Sequence, residues 1–142
     1  MKLKSKDFKN NSYLPSTFTA DGENISPQLQ WQDFPNETKS FVLTCIDPDA
    51  PSGDFIHWIV YDIPKDIDEI KQAGKAGKEL ENDFEEKSYG GPAPPSGTHR
   101  YIFTIFALDI ENLNADREDF FIELKKHAID SAKIIGLYNR IE

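Results

Sequence analysis

Two aspartates and a histidine lie close together in a stretch that is rich in proline. The run Asp47-Pro48-Asp49-Ala50-Pro51 is followed by His57-Trp58. Each proline fixes its own φ, removes a backbone donor and restricts the preceding residue to extended conformations. Such a loop is stiff, and carboxylate and imidazole groups on a stiff loop keep a fixed geometry. The stretch is therefore a candidate for a binding site.

A second stretch combines glycine, proline and polar side chains immediately before a strand. Residues 89–98 contain three glycines and three prolines, and His99-Arg100-Tyr101 follows them. Glycine lets backbone N–H groups approach a ligand closely, and proline restricts the loop. Because alternate residues of a strand share a face, we expect His99 and Tyr101 to point the same way.

The donors in these two stretches suit a phosphate-like anion. They are two imidazoles, a phenol hydroxyl and the amides of a glycine loop. The formal net charge of −9 works against an anionic ligand, so local donors must supply the attraction. One hydrogen bond to a charged group contributes about 1.5–3 kcal/mol, so three or four could hold a small anion. Asp47 and Asp49 could accept from a histidine or from an ammonium group on the ligand.

Other interpretations of the same residues remain open. An Asp-x-Asp pair with a histidine could ligate a divalent metal, but the spacing matches no metal motif, and we predict neither a metal nor a cofactor. Ser52 or Ser96 near a histidine could be a nucleophile, although the G-x-S-x-G motif is absent. The polar side chains could also be loop caps and turn formers without a ligand.

The composition argues against several classes of protein. A net charge of −9 opposes binding to nucleic acid and to anionic membrane surfaces. The single cysteine, Cys45, can form no intramolecular disulfide, and its apolar neighbours predict a buried side chain. The N-terminal residues show no signal-peptide pattern, and no run approaches about 18 apolar residues, so we expect a cytoplasmic protein that is not integral to a membrane. The length fits one domain, 1–142.

Three segments have the composition of strands, and each is apolar on both faces. They are residues 39–47, 55–63 and 99–109. We expect stacked sheets that cover both faces. The connection 48–54 suits an antiparallel return, which places Asp47 near His57. His99 joins them only if its strand is parallel to that of His57, and residues 64–98 are long enough for the crossover.

One helix is predicted near the C-terminus, over residues 114–135. Asn114 or Asp116 would cap its start, and Gly136 would follow its last turn. Apolar side chains at helical spacing would face the core, and they are Phe121, Leu124, Ala128, Ala132 and Ile135. Residues 65–88 are polar and contain glycine, so we expect a long, mostly exposed connection with solvated acidic side chains.

The two motifs, in this order, resemble those of the phosphatidylethanolamine-binding protein family. That family includes the Raf kinase inhibitor proteins of animals and the flowering-time proteins of plants. Asn24-Ile25-Ser26-Pro27, Trp31 and Ile135-Gly136-Leu137-Tyr138 fit its bacterial and archaeal Raf-kinase-inhibitor-like branch. The resemblance covers nearly the whole chain. It implies a mainly β fold, a β-sandwich with a large central sheet, a smaller second sheet and one main C-terminal helix.

The resemblance also implies a ligand-binding pocket and its residues. The ligand would be phosphate, a phosphorylated small molecule or a phosphoethanolamine head group. One side of the pocket would consist of Asp47, Asp49, Pro51 and His57. The other side would consist of Gly91, Pro95, His99 and Tyr101. Phe55 stands where many members of the family carry a bulky aromatic residue at the pocket mouth.

We therefore predict a non-enzymatic binding protein, without assigned catalytic residues. It is expected to regulate or inhibit a protein kinase or a protease, and to be a monomer or a homodimer. One alternative is a hydrolase of phosphoesters or peptides that uses His57 or His99 as general base. Another is a scaffold protein without a ligand. If a protonated imidazole is the donor, affinity for the anion should fall as the pH rises through the histidine pKa.

Overall fold

Strands form most of the regular structure in a computed structural model that describes residues 1–140. The strands of this part of the chain are β1 (Lys2–Lys4), β2 (Ser12–Tyr13), β3 (Leu29–Gln32), β4 (Ser40–Asp47), β5 (Phe55–Pro64), β6 (Glu69–Ile70), β7 (Lys78–Leu80), β8 (Thr98–Leu108) and β9 (Ala128–Asn139). Residues 1–140 also contain one α-helix, α1 (Phe120–His127), and a 3₁₀ turn at Ser16–Phe18. The fold is mainly β, as predicted.

The larger sheet has six strands in the order β2-β9-β8-β4-β5-β7. The strand β4 lies at its centre and is antiparallel to both β5 and β8. The predicted return between the first two strands is therefore confirmed. Because β5 and β8 both oppose β4, they run in the same direction and begin beside the end of β4. This arrangement brings Asp47, His57 and His99 to one end of the sheet.

A smaller sheet, in the order β1-β3-β6, packs on one face of the larger one. Trp31 of β3 meets Phe41 of β4 in the core between them, with ring centroids 5.5 Å apart. The other face of the larger sheet is covered by α1, where Phe120 and Leu124 pack near Val42. Burying each such side chain stabilises the fold by about 1.5–3 kcal/mol. Double coverage explains why β4 is apolar on both faces.

The predicted helix over 114–135 is wrong in its second half. The helix α1 ends at His127, and Ala128 has the extended backbone angles φ −72° and ψ 124°. From there the chain forms β9, which pairs antiparallel with β8 along the whole length of that strand. Gly136 lies within β9, not after a helix. With eight residues, α1 cannot span a bilayer, and no helix among residues 1–140 is long and apolar enough to do so.

The start of the predicted helix is also later than expected. The residue before its first turn is Asp119, whose side chain makes no capping bond. Asp116, one of the predicted caps, instead accepts a 3.0 Å hydrogen bond from the backbone N–H of Asp119. Asn114 and Asp116 therefore precede the helix in an irregular segment.

The connection predicted over residues 65–88 contains more structure than expected. The strand β6 joins the small sheet and β7 extends the large sheet beside β5. Asn82, within the acidic part of this segment, is buried. Short strands and turns thus anchor the segment to both sheets, although many of its charged side chains are exposed.

Candidate functional site

The carboxylate of Asp47 is bonded on both oxygens at the end of β4. Its Oδ2 accepts a hydrogen bond of 2.6 Å from Nδ1 of His99. Its Oδ1 accepts one of 2.7 Å from the backbone N–H of Asp49, across the turn that Pro48 restricts. Asp47 and His99 are both buried. Since a carboxylate only accepts, Nδ1 of His99 carries a proton, and the pair fixes the orientation of the ring.

Asp49 forms an ion pair with Arg100 on the outer side of the same loop. The Nε and Nη2 groups of Arg100 donate to separate carboxylate oxygens at 2.9 Å, and the Arg100 backbone N–H donates to Oδ2 at 2.9 Å. The side-chain hydrogen bonds from Arg100 lower the pKa of Asp49 to about 2. The pair joins the loop after β4 to the start of β8.

His57 is the extra residue of a β-bulge in β5. Cys45 of β4 pairs with Trp58 and Ile46 pairs with Ile56, which leaves His57 without a partner on β4. Ile56 packs in the core beneath α1, whereas Trp58 packs in the core between the sheets. Residues two apart share a face in a regular strand. The bulge therefore reverses the alternation of side chains at His57.

Gly90 holds both the backbone and the ring of His57. Nδ1 of His57 donates a hydrogen bond of 2.6 Å to the Gly90 carbonyl, and the Gly90 backbone N–H donates to the His57 carbonyl at 3.0 Å. Burial lowers the pKa of His57 because the charged ring loses hydration, and the bond to Gly90 opposes only part of that effect. The His57 ring is therefore neutral at pH 7, with its proton on Nδ1.

Three aromatic rings pack around His57. The centroid of its ring lies 5.2 Å from that of Tyr101, 5.0 Å from Phe55 and 5.3 Å from Phe84. All three pairs are tilted or edge-on, as aromatic rings prefer. Burial raises the pKa of Tyr101, and the nearby Asp47 carboxylate adds to the shift. The phenol thus keeps its proton and remains a hydrogen-bond donor.

A cavity of about 290 Å³ is lined by Asp47, His99, His57 and the three aromatic residues around His57. Its lining consists of Asp47, Ala50, Pro51, Ser52, Phe55, His57, Phe84, Ala93, Pro94, Pro95, His99 and Tyr101. The structure thereby brings together seven of the nine residues that the sequence predicts for the site, namely Asp47, Pro51, Phe55, His57, Pro95, His99 and Tyr101. Apolar walls thus surround a few polar groups, as in many small-molecule sites.

The other two predicted residues, Asp49 and Gly91, are absent from that lining. The carboxylate of Asp49 is directed to Arg100. The backbone N–H of Gly91 donates to Oδ1 of Asn24 at 2.7 Å, and a Cβ at position 91 would collide with that side chain. The close approach that glycine permits here is to Asn24.

Five lining residues are not among the ligand-binding residues that the sequence predicts, namely Ala50, Ser52, Phe84, Ala93 and Pro94, and of these only Ser52 was considered, as a possible nucleophile. Four of them lie within or beside the two motifs, next to predicted residues. Phe84 comes from the acidic part of residues 65–88, for which the sequence predicts solvated side chains. A lone aromatic residue within a run of charged residues was the available signal.

No group of three His, Cys, Asp or Glu side chains within residues 1–140 could hold a metal ion. Asp47 is bonded to His99 and Asp49 to Arg100, so neither Asp-x-Asp carboxylate is left without a protein partner.

The chain is similar in sequence to a family of known proteins. The family model described as "PBP: Phosphatidylethanolamine-binding protein" matches residues 4–139. A similar protein is the UPF0098 protein YbhB of Escherichia coli strain K12, which is 44% identical over 158 aligned residues. That alignment covers 98% of this chain and 100% of the other protein.

Solved structures show the same architecture. The structure described as E. coli YbcL, a new member of the mammalian PEBP family, has a TM-score of 0.92 at 28% identity and covers 99% of this chain and 98% of that one. The structure described as a putative PEBP homolog, CT736 of Chlamydia trachomatis, has a TM-score of 0.91 at 31% identity, with coverage of 99% and 97%. This chain therefore belongs to the phosphatidylethanolamine-binding protein family, as its two motifs predict.

Proposed function

We propose that the cavity binds a small anion, such as phosphate, a phosphorylated small molecule or a phosphoethanolamine head group. The main support for the proposal is the hydrogen bonding of two histidine rings that line the cavity. His57 and His99 each donate from Nδ1 to an acceptor within the protein. Nε2 of these rings takes part in no hydrogen bond among residues 1–140. Protonation of Nε2 would make it a charge-assisted donor, and Tyr101 adds a neutral donor.

The charge around the cavity determines how an anion can bind. The Asp47 carboxylate and the net charge of −9 both oppose an anion. A proton taken up by His57 or His99 would offset this repulsion, so we expect anion binding to be coupled to proton uptake. An ammonium group on the ligand would be attracted to Asp47. Phosphoethanolamine is therefore expected to bind more tightly than inorganic phosphate.

NMR titration with inorganic phosphate and with phosphoethanolamine tests this proposal. The imidazole signals of His57 and His99 should shift on addition of either compound. His127 supplies an internal control, because it lies on α1 and donates to Asp109, away from the cavity. If millimolar ligand leaves both His57 and His99 unchanged, or shifts His127 equally, the cavity is not an anion site.

Variants separate the contributions of the two rings. His57→Gln and His99→Gln should each weaken phosphate binding by about 10-fold, which corresponds to about 1.4 kcal/mol for one charge-assisted hydrogen bond. His127→Gln is the matched control and should bind as the wild type does. Equal weakening by all three substitutions would indicate a general charge effect.

A protein partner, either a kinase or a protease, is the second part of the proposal. Its support is that the family includes Raf kinase inhibitor proteins, and that exposed loop residues 51–54 and 95–97 flank the cavity. A bound anion there would alter the surface that a partner meets. Inhibition of a panel of purified kinases and proteases should depend on phosphate concentration in the wild type and not in His57→Gln. Failure to inhibit any of them would contradict this part.

One observation favours a hydrolase as second candidate. The buried carboxylate of Asp47 orients His99 through Nδ1, which is the arrangement that supports a general base at Nε2. Turnover of p-nitrophenyl phosphate or of a peptide substrate, in the presence of a chelator, would support this candidate if His99→Gln abolished it. Turnover that persists in His99→Gln would point to a contaminating enzyme.

A further inference from the structure

Phe84 separates the cavity from a second, smaller one. The second cavity has a volume of about 160 Å³, and Phe84 and Ala93 line both spaces. The Phe84 ring packs against Phe55 at 4.8 Å and His57 at 5.3 Å between centroids, yet 41% of the residue is exposed. A ring in this position offers apolar contact to a ligand that extends from one cavity into the other.

A fully bonded turn holds Phe84 in place. The side chain of Asn82 donates to the carbonyls of His57 and Ser88 at 3.1 and 2.8 Å. Its Oδ1 accepts from the backbone N–H groups of Phe84 and Glu86 at 2.9 and 3.1 Å. The amide thus uses both donors and both acceptor positions. The exposure of Phe84 is a property of this turn, so the ring is already positioned for contact.

Two further contacts fix the turn from either side. The backbone N–H of Asp83 donates to the carbonyl of Ile56 in β5 at 2.9 Å, and the backbone N–H of Ile56 donates to the Asp83 carboxylate at 2.7 Å. A Cβ at position 90 would collide with the ring of Phe84. Glycine at this position therefore lets the ring lie directly on the backbone.

The smaller cavity differs from the larger one in its polar groups. Glu86 and Asn24 line it together with the backbone of Gly90 and Gly91, and it contains no histidine. Oδ1 of Asn24 already accepts from Gly91. The carboxylate of Glu86 would attract an ammonium group, whereas the histidines of the larger cavity suit an anion.

We propose that the two cavities form one extended site for an amphipathic ligand with an anionic end, an aromatic body and a basic end. The anionic group would lie beside His57, the aromatic body on Phe84 and Ala93, and the basic group near Glu86. This inference rests on the proposed anion binding and adds the class of ligand. The larger cavity alone is at the lower limit of the roughly 300–1,000 Å³ of small-molecule sites, whereas the two together fall well within that range.

A series of three probes tests each part of this ligand. Inorganic phosphate reaches the anion position alone, phenyl phosphate adds the ring, and tyramine phosphate adds an ammonium group. We expect phenyl phosphate to bind about 10-fold more tightly than phosphate, from burial and ring contact. Tyramine phosphate should gain about 2- to 5-fold more, because an exposed ion pair contributes little. Calorimetry gives the affinities, and the Ala93 methyl signal reports occupancy at the boundary.

Two substitutions on the exposed side of the turn assign these gains. Phe84→Ala should reduce the advantage of phenyl phosphate over phosphate from about 10-fold to within about 2-fold, with both affinities measured in that variant. Glu86→Gln should remove only the additional gain of tyramine phosphate. Ile122→Ala removes an exposed apolar side chain on α1 and is the matched control. Circular dichroism checks that each variant is folded.

The outcomes distinguish this inference from the proposal beneath it. If phosphate shifts His57 and His99 but phenyl phosphate binds no more tightly and leaves Ala93 unchanged, the extended site is wrong and the anion site stands. Equal losses for phosphate and phenyl phosphate in Phe84→Ala would also overturn the extended site. If no probe affects either histidine, both proposals fail.

Discussion

The side-chain amide of Asn82 donates to the carbonyl of His57 at 3.1 Å, at the bulge where His57 has no partner on β4. A second donor to the same carbonyl is the backbone N–H of Gly90. The bulge therefore does not leave a buried acceptor unsatisfied. The segment after β7 completes the hydrogen bonding of β5 at the cavity.

Replacing Asn82 should destabilise the protein strongly. Asn82→Ala removes four hydrogen bonds from a buried side chain, and unsatisfied buried groups cost about 1–3 kcal/mol each. Since water can reach part of the turn, we expect a loss of about 2–4 kcal/mol in the free energy of unfolding, measured in urea. Asn112→Ala, at an exposed position, should change it by less than about 0.5 kcal/mol. Similar values for both variants would contradict this assignment.

The pair of Asp49 and Arg100 should stabilise the fold in a pH-dependent way. The folded pKa of Asp49 is lowered from 3.8 to about 2, so its contribution is present above about pH 4 and is lost as the pH falls through 2. The shift corresponds to at most about 2.5 kcal/mol, which solvent screening at the half-exposed Arg100 reduces to about 1 kcal/mol. Urea unfolding of Asp49→Asn at pH 7 and pH 2 measures the difference.

A second ion pair provides the control for that experiment. Lys2 and Asp33 are both exposed and lie 3.7 Å apart, so Asp33→Asn should cost less than about 0.5 kcal/mol at pH 7. A double-mutant cycle of Asp49→Asn with Arg100→Gln isolates the coupling between the two side chains. A coupling energy that is the same at pH 7 and pH 2 would show that the ion pair is not its source.

Anion affinity should rise as the pH falls. Burial lowers the pKa of His57, so its ring is neutral near pH 7, and an anion would favour the protonated ring. Sulfate keeps the same charge between pH 5 and pH 8, so a change in its affinity over this range reflects protonation of the protein alone. The window for this effect lies between the pKa of His57 in the free protein and its higher pKa in the sulfate complex. Within that window, we expect the sulfate affinity to rise by up to about 10-fold for each unit by which the pH falls. An affinity that is equal at pH 5 and pH 8 would exclude the mechanism.

Histidine variants identify the group that takes up the proton. His57→Gln should reduce the pH dependence of sulfate binding, whereas His127→Gln should retain it. Isothermal calorimetry in two buffers of different ionisation enthalpy counts the protons directly. Retention of the full pH dependence in His57→Gln would assign the proton to His99.

A side chain at position 136 should disturb the contact between β9 and the segment after β2. A Cβ there would lie 2.6 Å from Cγ of Leu14, so we expect Gly136→Ala to cost about 1–3 kcal/mol. In the background of Leu14→Ala, the same substitution should cost less, because the smaller side chain leaves room. Ser131→Ala, at an exposed position of β9, is the control. An equal cost in both backgrounds would place the strain elsewhere.

The arrangement of most candidate-site residues could be predicted because the restraints on them are local. Pro48 and Pro51 restrict the first loop, and the alternation of His99 and Tyr101 places both side chains on one face of β8. The antiparallel return between β4 and β5 follows from a short connection. The sequence does not predict how many strands lie between β5 and β8, because strand pairing depends on contacts between residues that are distant in the chain. The strand β4 lies between them.

The error in the helix has a specific physical cause. From Ala128 onward, the apolar residues fit a helical spacing and also a period of two, in which Ala132, Ile134 and Gly136 face the core. Local preference cannot separate the two patterns. Pairing with β8, whose residues lie at least 20 positions earlier in the chain, stabilises the strand instead of the helix. Phe84 was missed for a related reason, because the burial of Asn82 positions it and no local pattern shows that burial.

The bulge makes the number of residues in β5 as important as their types. Deletion of Ile56 would restore regular pairing and turn the imidazole of His57 to the opposite face, while deletion of His57 would remove it. In either case the sheet could remain paired and both motifs would remain recognisable. A homologous protein that is one residue shorter between Phe55 and Trp58 is thus expected to keep the fold without this histidine in the cavity. Segment length is therefore a criterion for inferring shared function within the family.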